Sequence, residues 1–140
     1  MFDNKKLSEI EAYNLNPQSL AFVGDAVFSL YIRQKIVITE SLKANEEHRL
    51  TTNFVKASGQ SQIVKDIENV LTENEMRLYK RARNYKTNNI AKNAKVIDYK
   101  RATGFEALLG YLYLTDNIPR LTELMTLGYN TILENSKKEQ

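Results

Sequence analysis

Leu20-Ala21-Phe22-Val23-Gly24-Asp25-Ala26-Val27-Phe28 is an apolar run with one carboxylate at its centre. Just upstream, Asn16-Pro17 combines a side-chain cap with a proline suited to a first helical position. The apolar residues that follow recur at helical rather than alternating spacing. The stretch predicts a helix from Pro17 to about Lys35, with Leu20, Val23, Val27, Leu30 and Tyr31 on its main buried face. A second acid has matching company far down the chain, in Gly104-Phe105-Glu106-Ala107-Leu108-Leu109-Gly110. Neither acid has a lysine or arginine three or four residues away on its own helix, and both are expected to be buried or half-buried. A carboxylate in that position is costly unless a cation or donor compensates it.

The glycines sharpen the expectation. Gly24, Gly104 and Gly110 each cost about 1 kcal/mol relative to alanine inside a helix. Close helix–helix approach would compensate, and it would bring Asp25 and Glu106 together. Magnesium suits such a pair, because it keeps most of its water and takes one or two protein carboxylates, with substrate phosphates completing its shell. Mn²⁺ is the alternative ion. Zinc fits poorly: there is no cysteine, and His48 is the sole histidine. For either acid alone, a partly exposed helix residue remains an open reading; the matched pair favours a metal site. His48 itself is assigned no chemistry.

Working outward, glycine and proline are scarce and helical spacing persists. A short helix is expected over Ser8–Tyr13, a third over Asn45–Ala57, and another from Gln60 to Leu71 after a break at Ser58-Gly59. Thr72-Glu73-Asn74-Glu75 fits a capping box opening a helix to about Arg83. Residues 84–97 read as a long, mobile, basic loop, and Asp98 as the cap of the helix carrying Glu106. A last helix from Asn117-Ile118-Pro119 should reach Asn135, leaving 136–140 as a polar tail. The fold class is all-α, a single domain of about six to seven helices spanning residues 1–140.

At 42% hydrophobic and 26% charged residues, the chain has the composition of a soluble globular protein. No apolar stretch is long enough to span a bilayer, and the N-terminus lacks a secretory signal, so a cytoplasmic protein without a membrane partner is expected. The net charge is only +3. Between Lys80 and Arg101, however, eight basic residues face one acid, Asp98, a local charge of +7 that leaves about −4 for the rest. One basic zone on a mildly acidic body is the footprint of a polyanion-binding face; a solvated lysine-rich loop is the plain alternative.

Phe22-Val23-Gly24-Asp25 within the first run resembles the signature segment of ribonuclease III, and Phe105-Glu106-Ala107-Leu108-Leu109-Gly110 resembles that family's second acidic motif. Their order and spacing, with Arg83-Asn84-Tyr85-Lys86 between them, extend the resemblance over nearly the whole chain. With no room for a double-stranded-RNA-binding domain, it is closer to the Mini-ribonuclease III subfamily, in which the catalytic helical domain stands alone. The resemblance implies a Mg²⁺-dependent homodimer that hydrolyses both strands of double-stranded RNA to 5′-phosphate ends, and large-subunit ribosomal RNA precursors as the first substrate to consider. Asp25 and Glu106 match the catalytic, metal-binding acids. Two further acids of full-length ribonuclease III are replaced here by Ala21 and Thr103, a thinning that Mini-ribonuclease III shares.

In that reading, Mg²⁺ polarises the phosphodiester and acidifies an attacking water. Arg81, Arg83, Lys86, Lys92 and Lys95 grip phosphates of an A-form duplex, which is recognised by shape and backbone. Asn84 either donates to the RNA or simply ends its helix. Tyr85 and Tyr99 are expected as packing anchors. A non-catalytic double-stranded-RNA-binding module on the same fold, or a helical protein-interaction domain, remain the competing functions.

Overall fold

Local capping chemistry starts three helices where the sequence places them. At the head of α1 (Glu9–Tyr13), Ser8 Oγ accepts from the Glu11 amide and Glu11 Oε1 accepts from the Ser8 amide, both at 3.1 Å. Asn16 Oδ1 accepts from the Gln18 amide at 2.8 Å, and Pro17 opens α2 (Pro17–Thr39). Thr72 and Glu75 form the reciprocal box that opens α5 (Glu73–Arg83). The computed structural model describes residues 5–86 and 95–138, with side chains through 135. Its other helices are α3 (Ala44–Val55), α4 (Ala57–Ile67, followed by a 3₁₀ turn at Glu68–Val70), α6 (Val96–Leu114) and α7 (Ile118–Lys138). The described residues contain seven α-helices and no strand, the all-α class read from the sequence.

Helix α6 is the centre of the molecule. Gly104, Phe105, Ala107, Leu108, Leu109, Gly110 and Leu112 are all buried, as suits a helix apolar on every side. Helices α2, α4 and α5 pack around it, and α7 covers α4. The α2–α6 crossing is the most extensive contact, and its closeness depends on glycine. A β-carbon on Gly24 would fall on the Glu106 carbonyl and lie 2.9 Å from the Gly110 nitrogen; one on Gly110 would fall on the Leu20 carbonyl. Phe28 and Phe105 meet edge to face beside the crossing, with ring centroids 5.3 Å apart. On the far side, Arg120 of α7 forks onto buried Glu75 at 2.8 and 2.9 Å and donates to the Val70 carbonyl at 2.6 Å. That closes α5 and the 3₁₀ turn against α7.

Several boundaries and one helix face differ from expectation. The inward line of α2 is Leu20, Ala21, Gly24, Phe28, Ile32 and Ile36, whereas Val23, Val27 and Tyr31 are half-buried and Leu30 is exposed. Because α2 is apolar all round, periodicity could not choose its face; the small residues that allow close approach did. The expected break at Ser58-Gly59 falls at Lys56, where α3 ends and α4 begins. Gly59 is a packing residue, with the Phe54 carbonyl only 3.1 Å from where its β-carbon would stand.

The expected basic loop stops at Lys95, the N-cap of α6, so Val96 and Ile97 are already helical. Asp98 therefore lies in the first helical turn and is not the cap, a position where its charge still suits the helix dipole. Residues 87–94, the middle of that stretch, lie outside the described residues. Helix α7 runs three residues into the expected polar tail.

Candidate metal centre and nucleic-acid interface

The α2–α6 crossing sets Asp25 against Glu106. With Gly24 and Gly110 removing the side chains that would hold the helices apart, the Asp25 carboxylate comes within hydrogen-bonding reach of the Glu106 carboxyl. The two acids are not equivalent. Asp25 is exposed on the outer face of α2, where a buried or half-buried acid was expected, and Glu106 is half-buried. Glu106 thus carries the desolvation. Burial first, and then the facing Asp25 carboxylate, push its carboxyl up from 4.5 to about 9; a hydrogen bond from Gln60 opposes this.

Gln60 was not among the residues singled out from the sequence. It is 1% exposed, and its Nε2 donates to the Val55 carbonyl at 2.8 Å and, at a longer 3.4 Å, to Glu106 Oε2. Its Oε1 is buried with no donor among the described residues. A signal was present: Gln60 occupies the same helical stripe as Ile63, Val64 and Ile67 of α4, all buried. A polar residue on an apolar stripe calls for a partner.

The donor set fits magnesium. Two carboxylates are close enough to repel each other when both are ionised, and a divalent cation reverses that penalty. Oxygen is the only ligand type offered, and a buried amide oxygen beside the pair still lacks a donor. Among the described residues no cluster of three or more histidine, cysteine, aspartate or glutamate side chains exists, so the protein would supply few ligands. Neither missing acid is replaced by another group: Ala21 is buried at the helix crossing, and Thr103 Oγ1 donates to the Tyr99 carbonyl at 3.0 Å.

The basic residues divide. Arg81 is tied into the fold, with its guanidinium 4.7 Å over the Tyr13 ring and Nη2 donating to the Leu15 carbonyl at 2.8 Å. Arg83 lies 5.6 Å over Tyr79 and donates through Nε to Asn84 Oδ1 at 3.2 Å. Asn84 is the C-cap of α5, its amide donating to the Lys80 and Ala82 carbonyls. Lys86 and Lys95 are exposed, and Lys92 lies outside the described residues. Arg83, Tyr85 and Lys100 line one crevice with Thr103, which sits one turn before Glu106. Lys100 belongs to the basic zone but was not singled out. Tyr85 anchors the turn by accepting from Asn16 Nδ2 at 3.2 Å. His48 is exposed on α3.

The chain is similar to known proteins over most of its length. The family model described as "Ribonuclease III domain" matches residues 18–117. The chain is 46% identical over 121 residues to the Mini-ribonuclease 3 of a Thermoanaerobacter species, covering 86% of this chain and 85% of that protein. It is 40% identical over 139 residues to the Mini-ribonuclease 3 of Clostridium tetani, covering 99% and 92%. A crystal structure of a Fusobacterium nucleatum protein superimposes with a TM-score of 0.75 at 30% identity, over 84% of this chain and 93% of that one.

Proposed function

The chain belongs to the ribonuclease III family and is an endoribonuclease; on that premise we propose that it hydrolyses phosphodiester bonds of double-stranded RNA with Mg²⁺ held by Asp25 and Glu106. The observation that carries this reading is the glycine-lined α2–α6 crossing, which sets the two carboxylates against each other with no lysine or arginine among the described residues paired to either. What the ion supplies when bound is neutralisation of phosphate charge and a more acidic water, leaving a 5′-phosphate end. Mn²⁺ can take its place.

The remaining work belongs to the chain. Glu106 must give up its proton for the pair to act as a doubly charged ligand set. Asp25, being exposed, presents its carboxylate to the solvent-facing side from which a duplex would approach. Lys86, Lys95 and Lys100, with Lys92, supply positive charge for the backbone of an A-form helix. Arg83 and Asn84 join them at the end of α5, whereas the contacts of Arg81 with Tyr13 and Leu15 favour a structural role for it. The exposed apolar side chains along α2, Phe22 at 81% and Ile38 at 71% among them, support a homodimer, in which one site serves each strand. Precursors of large-subunit ribosomal RNA are the first substrate to test, as the family resemblance implies.

Asp25→Asn and Glu106→Gln should each remove Mg²⁺-dependent cleavage of duplex RNA, by more than the roughly 10–100-fold typical of outer-shell changes around a metal. Mapping the ends of the products, together with sedimentation of the protein, checks the reading. Wild-type cutting by both variants would exclude the carboxylate pair. Duplex binding without cleavage in Mg²⁺ or Mn²⁺ would leave a non-catalytic binding module.

A further inference from the structure

We propose that Gln60 is a positioning residue for Glu106: its side-chain amide ties the carboxylate to the α3–α4 corner and so sets the divalent-cation affinity of the site. This rests on the carboxylate-pair reading above.

The amide orientation follows from its neighbours. Val55 is the last residue of α3, and its carbonyl is among those a helix end leaves without an intrahelical donor. A carbonyl only accepts, so the group 2.8 Å from it must be the Gln60 –NH₂. That group has a second proton, and the other acceptor in reach is Glu106 Oε2 at 3.4 Å. Both donors are therefore committed, one to the end of α3 and one to α6, and Oε1 has no freedom to exchange places with them. The backbone around the amide is held as firmly. Gly59 lets the first turn of α4 lie against the Asn53 and Phe54 carbonyls, and Phe54 stacks on Tyr129 of α7 at 5.2 Å.

A leucine at this position would satisfy the apolar stripe and avoid burying a polar group. Gln60 instead leaves Oε1 without a donor among the described residues, a desolvation cost that an apolar side chain would avoid. Two consequences follow for the site. With one Glu106 oxygen held by Nε2, the other is left to face a cation together with Asp25. The second is the cost left at Oε1: the position gives up apolar packing to keep a hold on Glu106. Partners that orient a ligating carboxylate in this way commonly govern metal affinity and activity 10–100-fold.

The test uses the full-length chain, with Mn²⁺ alone as the probe and no RNA present. In Gln60→Leu, the Mn²⁺ Kd read from the electron paramagnetic resonance of free ion should rise about 10–100-fold. Duplex cleavage at low Mg²⁺ should fall by a similar factor in kcat, with KM for RNA within about twofold, and should recover as Mg²⁺ is raised. A folded Gln60→Leu protein whose Mn²⁺ Kd is unchanged overturns the proposal, because a purely structural role would lower Tm and leave that constant alone. Should the variant not fold, the unsubstituted protein decides: Mg²⁺ should shift the side-chain ¹⁵N amide resonance of Gln60, and an unmoved resonance overturns it. If the parent binds no Mn²⁺, the carboxylate-pair reading falls and this one with it. If the parent binds, Glu106→Gln does not and Gln60→Leu matches the parent, the role of Gln60 alone is lost.

Discussion

Glu75 is buried and Glu106 half-buried, and the protein treats the two glutamates in opposite ways. At the α5–α7 contact, burial pushes the Glu75 carboxyl up, but the forked Arg120 guanidinium and the Thr72 amide outweigh it, so the group titrates below its ordinary 4.5. At the α2–α6 crossing Glu106 meets a second carboxylate and one long amide hydrogen bond, and it is pushed up to about 9. A glutamate that serves the fold carries its own cation. One that faces another acid has, in the proposed reading, its cation supplied from outside.

The most disruptive way to break this comparison is to move the helices. Gly110→Ala places a methyl on the Leu20 carbonyl, a backbone atom that cannot turn aside. Its cost should reach or exceed the upper end of the about 1–3 kcal/mol usual for overpacking, lowering Tm and abolishing cleavage together. Gly128→Ala is the control, because the nearest atoms to its new methyl belong to the Ile63 side chain, at 3.0 Å and beyond, and not to backbone.

Next, Arg120→Met strips Glu75 of its cation while leaving Asp25 and Glu106 alone. Loss of one partner from a buried pair costs about 3–5 kcal/mol. Chemical denaturation should show that loss, and cleavage per folded molecule should be retained. Retained stability would mean that the Glu75 fork contributes little to the fold.

The pH dependence separates the two glutamates without mutation. Glu75, with its folded pKa lowered, stabilises above the ordinary carboxylate range, and that contribution is lost as pH falls through its folded value. Glu106, with its folded pKa raised, works the other way: the metal-free protein loses stability as pH rises from 4.5 towards about 9. The slope is at most about 1.4 kcal/mol per pH unit. Thermal unfolding in chelator should show the alkaline decline; saturating Mg²⁺ should flatten it, and Glu106→Gln should remove it. An alkaline decline that persists in Glu106→Gln would assign it to another group.

The smallest effects lie in the basic zone. Neutralising Lys86, Lys92 and Lys95 together should weaken duplex RNA binding across sequences and reduce its salt dependence, by up to about three charges' worth. Arg81→Ala should instead cost about 1 kcal/mol of stability through the lost Tyr13 and Leu15 contacts, with little change in the salt slope. A reversed outcome would return Arg81 to the RNA-binding surface.

How much of this was legible beforehand depends on the range of the interaction responsible. The caps at Asn16–Gln18 and Thr72–Glu75 join residues two or three apart, and the sequence alone located Asn16 and the Thr72–Glu75 box. The Ser8–Glu11 box has the same short range, but the sequence reading places Ser8 inside its helix. The helical class, the two acids and the three glycines beside them were equally plain, because spacing and composition carry those signals. Only the tertiary structure decided that α2 turns Ala21 and Gly24 inward, that Asp25 stands outside while Glu106 bears the burial, and that Gln60 reaches Glu106 from another helix. A helix apolar on every side has no preferred face until a partner of definite shape packs against it. A buried carboxyl's electrostatic surroundings, likewise, depend on residues far off in the chain, Arg120 being 45 positions from Glu75 and Gln60 46 from Glu106.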